Sequence, residues 1–62
     1  MKNILIIDDE IDICNNIKAI LEDEAIYTAQ FALNSNDALA FIEKNNYDLI
    51  ILDVWLDNSN LD

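Results

Sequence analysis

Apolar residues fall into separate blocks along this chain, and their spacing changes character from one block to the next. Asn3 to Ile7 (NILII) is a nearly unbroken apolar run with β-branched content, cut off at once by Asp8, Asp9 and Glu10. Such a run, with no alternation, predicts a parallel strand buried on both faces. Ile13, Ile17, Ile20 and Leu21 then recur at i, i+4, i+7 and i+8, which is one stripe of an amphipathic helix. Asp9, Glu10 and Asp12 lie in or before its first turn, where the helix dipole favours negative charge. Glu22, Asp23 and Glu24 crowd the opposite end, where the dipole disfavours it, so that end is expected to fray.

Ile26 to Ala32 is rich in strand-forming Ile, Tyr, Thr and Phe and predicts a second strand. Asn34 or Ser35 can cap a second helix reaching about Asn46, with Leu39, Ile42 and Ala38 as its narrow apolar stripe. Asn45-Asn46 is the expected stop, because asparagine tolerates the left-handed cap conformation. Asp48 to Leu52 (DLIIL) predicts another buried parallel strand; Asp53 follows it, and Asp57-Asn58-Ser59-Asn60 forms a polar loop. With no glycine and no proline, Asn, Asp and Ser supply the punctuation. The order β-α-β-α-β demands right-handed crossovers and a parallel, doubly wound α/β sheet. No repeat or linker divides the chain.

Composition narrows the classes. The chain has 62 residues, 53% of them hydrophobic, which is enough for a packed core but leaves a small and marginal one. Cys14 is the only cysteine and there is no histidine, so neither an internal disulfide nor a zinc site is available. Self-association is the remaining way to stabilise so small a unit. Thirteen acids against three lysines give a net charge of −10. That balance excludes direct contact with nucleic acid, disfavours an anionic membrane surface and attracts divalent cations. An acidic surface also keeps a small hydrophobic protein soluble. No run approaches the ~20 apolar residues of a membrane span. Acids follow the first apolar stretch too closely for a signal peptide, so a cytoplasmic location is expected.

The chemistry lies at the strand ends. Asp8-Asp9 closes the first strand and Asp53 closes the third, and open α/β sheets bind ligands beyond the carboxyl ends of their strands. If those strands are neighbours, ~4.8 Å apart, the three carboxylates meet. They repel one another unless a cation intervenes, and an all-oxygen set selects Mg2+ or Mn2+. An aspartate beside such a metal can act as a nucleophile toward phosphorus, and the first helix N-terminus adds a field that favours an anion. Taken singly, Asp8 and Asp9 could be helix caps and Asp53 a turn residue; acids at two strand ends together point to a site.

Ile4-Leu5-Ile6-Ile7-Asp8-Asp9-Glu10, followed by Asp48-Leu49-Ile50-Ile51-Leu52-Asp53-Val54-Trp55-Leu56, strongly resembles the receiver domains of two-component response regulators. The run around Trp55 and Leu56 is similar to their nitrogen-regulation (NtrX) subgroup. The resemblance implies a flavodoxin-like sheet of strand order 2-1-3, truncated, with residues 1–62 forming the N-terminal half of one receiver domain. It implies Asp53 as the phosphoacceptor, Asp9 as a direct metal ligand, Asp8 acting through the metal's water, and the Trp55 backbone carbonyl as a further ligand. The implied partner is a histidine kinase, and the chain is not expected to be an enzyme. The family's hydroxyl residue after a fourth strand and its lysine after a fifth have no counterparts here, and Lys2, Lys18 and Lys44 stand elsewhere. Weak or absent phosphotransfer is therefore expected of these residues alone. In strand order 2-1-3 the third strand is an edge, open to pairing, so the alternative is a non-catalytic module that self-associates through this strand or its helix faces, or an inactive fragment.

Other features carry less. Asp53-Val54-Trp55 resembles the Asp-x-Asp of haloacid-dehalogenase phosphatases, but Trp55 replaces the second acid. Asp57 to Asp62 lacks the glycine and late glutamate of a calcium loop. Cys14 is expected to be inert, and Tyr27, Phe31, Phe41 and Tyr47 to pack.

Overall fold

The computed structural model of the chain describes residues 1–53. Their order is β1 (Lys2–Ile7), α1 (Ile11–Glu22), β2 (Tyr27–Ala32), α2 (Ser35–Lys44) and β3 (Leu49–Leu52). All strands are parallel and the sheet runs β2-β1-β3, with Ile4 opposite Ala29 on one side and Leu49 on the other. The α/β class and the strand order are those expected. Trp55 and the polar loop at 57–60 lie outside the described residues.

The central strand explains the NILII run. Ile4 and Ile6 point to one face, where they pack with Cys14 of α1 and Ala29; Leu5 and Ile7 point to the other, against Ala32 and Ala38 of α2. Both faces are covered, so no polar alternation is needed.

The helix stripes differ from expectation. Cys14 is fully buried, with Ile17 and Leu21 packed beside it, while Ile13 and Ile20 are exposed. On α2, Ala38 is buried and Phe41 packs next to it, with Leu39 and Ile42 exposed. The physical reason is close approach: small side chains sit where a helix comes nearest to the sheet, and larger ones are displaced to the flanks. The third strand is a second correction. Leu49, Ile50 and Leu52 are 53%, 43% and 58% exposed, because neither helix lies over β3 and Ile51 alone leans on the core.

The acidic end of α1 is tied down. Glu22 accepts from Lys18 Nζ at 2.8 Å and from the Ala29 N–H at 3.2 Å. The Lys18 hydrogen bond, helped by Ala29, holds the Glu22 carboxyl below its ordinary range. Glu24 N donates to Leu21 O and Ala25 N to Glu22 O, closing a turn in which Ala25 takes φ 65. A left-handed alanine costs ~1–2 kcal/mol, and the sequence has no glycine to place there. At α2, Asn34 rather than Ser35 is the cap: its side chain accepts from Asp37 N at 2.8 Å and donates to Asp37 Oδ2 at 3.1 Å. The helix stops at Asn45 as expected, but Asn45 is extended (φ −135, ψ 159) rather than left-handed, and its side-chain and backbone N–H groups both donate to Phe41 O. Among the described residues no helix is long and apolar enough to cross a membrane.

Candidate functional site

The neighbouring strands β1 and β3 end side by side, and backbone bonds fix both ends. Asp8 N donates to Ala32 O at 3.1 Å, and Asp53 N donates to Ile7 O at 3.0 Å. The residues that carry the acids therefore continue the sheet's own hydrogen bonding. Chain direction turns immediately after Asp8, whose Oδ1 accepts from Glu10 N at 2.9 Å. That bond folds the acidic turn back and starts α1, where Glu10 makes no side-chain cap of its own.

One carboxylate oxygen from each of Asp8, Asp9 and Asp53 lies within 4.8 Å of the other two. Asp8 is buried at 6% exposure, Asp53 is intermediate and Asp9 is exposed. The arrangement is thus graded, from a fixed acid under the turn to one free to adjust at the surface. The three acids singled out in the sequence are brought together; Trp55 lies outside the described residues.

The donor set fits a hard cation. All three donors are oxygens, and an octahedral Mg2+ with ~2.1 Å bonds spaces opposite ligands by about 4.2 Å. Closing from at most 4.8 Å requires only small side-chain rotations. The N-terminal end of α1 faces the same region and favours an anion there.

Cys14 forms the floor of this turn, a role its sequence position did not reveal. Its thiol is fully buried and donates to the Asp8 carbonyl at 3.5 Å. Burial first, and then the Asp8 charge, push the Cys14 thiol up, so it stays protonated and unreactive. The only cue in the sequence was a small residue one position from the presumed stripe.

Comparison with known proteins agrees with the geometry. Residues 4–60 match the response regulator receiver domain. The nitrogen assimilation regulatory protein NtrX of Azorhizobium caulinodans is 48% identical over 60 residues, covering 97% of this chain and 13% of that protein. An NtrX-like response regulator of Rickettsia bellii is 43% identical over 60 residues, covering 97% of this chain and 12% of that protein. The regulatory protein VanRB of Enterococcus faecalis is 37% identical over 57 residues, 92% of this chain and 26% of its own length. The chain therefore spans only about an eighth of the NtrX relatives it matches. No solved structure matches it.

Proposed function

Because the chain belongs to the response regulator receiver domain family, we propose that it is a phosphoacceptor module of two-component signalling, with Asp53 receiving a phosphoryl group from a histidine kinase. The observation that carries this reading is the meeting of Asp8, Asp9 and Asp53 within 4.8 Å at the ends of two adjacent strands. Identity to NtrX favours a place in nitrogen-responsive regulation, and the acid-rich composition suits a cytoplasmic module.

Each residue has a distinct part. An Asp53 carboxylate oxygen attacks phosphorus; the new P–O bond forms as the P–N bond to the kinase's phosphohistidine breaks, and the departing imidazole ends neutral by taking a proton from water. The backbone bond from Asp53 N to Ile7 O holds the nucleophile at the sheet edge during attack. Asp8, fixed by Glu10 N, and Asp9, free to adjust, hold Mg2+ or Mn2+ together with Asp53. When bound, the cation offsets negative charge on the phosphoryl oxygens and on the carboxylates themselves. The chain is consumed as acceptor rather than turning over, so it is not an enzyme. These 62 residues carry no counterpart of the hydroxyl and lysine that the resemblance implies, so phosphorylation of them alone is slow and incomplete.

Incubation with acetyl phosphate and Mg2+, read by intact mass, tests this. The expected result is a partial adduct of about 80 Da, absent in Asp53→Asn. No adduct after long incubation, or one that survives Asp53→Asn, refutes the assignment; rapid stoichiometric labelling refutes the expectation of slowness.

A further inference from the structure

The sheet has two free edges, and they are unlike. On β2 the register turns Thr28 and Gln30 toward β1, in phase with the bonds from Lys2 N to Ile26 O and from Asp8 N to Ala32 O. Tyr27, Ala29 and Phe31 turn their backbone groups outward. At the middle of that edge Lys18 Nζ donates to Ala29 O at 2.9 Å, and the Glu22 carboxylate accepts from Ala29 N at 3.2 Å. Lys18 and Glu22 are themselves joined at 2.8 Å. This clamp takes both hydrogen-bonding groups that an added strand would use.

The β3 edge has no such guard. With Asp53 N bonded to Ile7 O, residues Leu49 and Ile51 face β1, and Ile50 and Leu52 present their N–H and C=O groups outward. Among the described residues no strand or side chain occupies them. The stretch Leu-Ile-Ile-Leu contains no charge, proline or glycine, the usual devices that protect an edge.

We infer that two copies of this chain join β3 to β3, antiparallel, about a two-fold axis through Ile51. In this register Ile50 faces the partner's Leu52 and Leu52 faces the partner's Ile50, so every outward group of both residues is paired. The strand reads the same in both directions, so a two-fold partner meets like with like. With both β2 edges clamped, the assembly closes at two copies. A four-residue edge is far smaller than the ~800 Å2 per partner of a stable interface. Each chain also carries a charge of −10, with Asp48 and Asp53 flanking the strand. The dimer is consequently weak, concentration-dependent and strengthened by salt, which screens the repulsion. Nothing in this inference depends on Asp53 being a phosphoacceptor.

Sedimentation velocity from micromolar to millimolar chain tests it: a monomer–dimer equilibrium is expected, shifted toward dimer by salt. Ile50→Lys should weaken the dimer at least tenfold, while Lys18→Ala/Glu22→Ala should open the second edge and give assemblies larger than a dimer. Register is tested by oxidation. Ile51→Cys places two thiols in a non-hydrogen-bonded pair, ~4.5 Å between Cα atoms, and should cross-link. Ile50→Cys meets its counterpart only diagonally, ~7–8 Å away, and should not; Cys14 is buried and stays out of the reaction. A monomer at all concentrations, a dimer indifferent to Ile50→Lys, or equal cross-linking at both positions overturns the inference. A clamp variant that stops at two copies overturns the role given to Lys18 and Glu22.

Discussion

Replacing Asp9 with asparagine removes one of three negative charges whose oxygens lie within 4.8 Å of one another. At that separation two unit charges repel by about 0.9 kcal/mol in bulk water and about 3.5 kcal/mol at an effective dielectric near 20. Asp9 is exposed and Asp53 intermediate, so the lower figure governs. The distance is also shorter than the ~8 Å Debye length at physiological salt, so screening removes only part of it. Asp9→Asn relieves two such pairs, and the metal-free chain should gain about 2 kcal/mol, or about 8–16 °C in melting temperature for a domain this small. The same change deletes a ligand. With a millimolar dissociation constant, ~10 mM Mg2+ stabilises the wild-type chain by about 1.4 kcal/mol, and the variant should lose that increment. Thermal melts followed by circular dichroism, in chelator and in Mg2+, read both effects. A variant that melts below wild type in chelator would show that the carboxylates do not strain one another. An undiminished Mg2+ shift would show that Asp9 is no ligand.

Two further substitutions probe the scaffold. Asn34→Ala removes the cap that accepts from Asp37 N and should cost ~1 kcal/mol in urea unfolding; Asn34→Asp should recover most of it, and an unchanged urea midpoint in the alanine variant would mean the cap contributes nothing. Glu22 titrates below its ordinary value near 4.5. Its contribution to stability is therefore present above about that pH and is lost as pH falls through the depressed folded value. Glu22→Gln should flatten this acid limb, and a limb of unchanged slope would count against the Lys18–Glu22 interaction.

Element order and the acidic site were legible in the sequence because both depend on boundaries. NILII and DLIIL each end abruptly in aspartate, and parallel neighbours must bring such ends together. Helix orientation was not legible, because it depends on which residue permits the closest approach. Cys14 and Ala38 won those positions by being small, and reading by hydrophobicity alone selected Ile13, Ile20, Leu39 and Ile42 instead. Glu22 was misleading for a different reason. Its cost at a helix C-terminus is local, whereas its bond to the Ala29 N–H is made across the crossover to β2. The spacing of Lys18 and Glu22 by four residues was the available hint. Ala25 gave no hint, since a left-handed turn is usually betrayed by glycine.

The backbone bonds of Asp8 and Asp53 also determine how the site can come apart. Both amides are committed to the sheet, one to Ala32 O and the other to Ile7 O. Their protons can exchange with solvent only when β1 separates from a neighbour, and β1 is the strand on which both apolar clusters are built. The start of α2 and the turn at Ala25 can open locally, but the acidic ends have no private route to opening. Slow amide exchange at Asp8 and Asp53 and survival of the core are then one observable. The pocket belongs to the most cooperative unit of the chain rather than to a detachable loop.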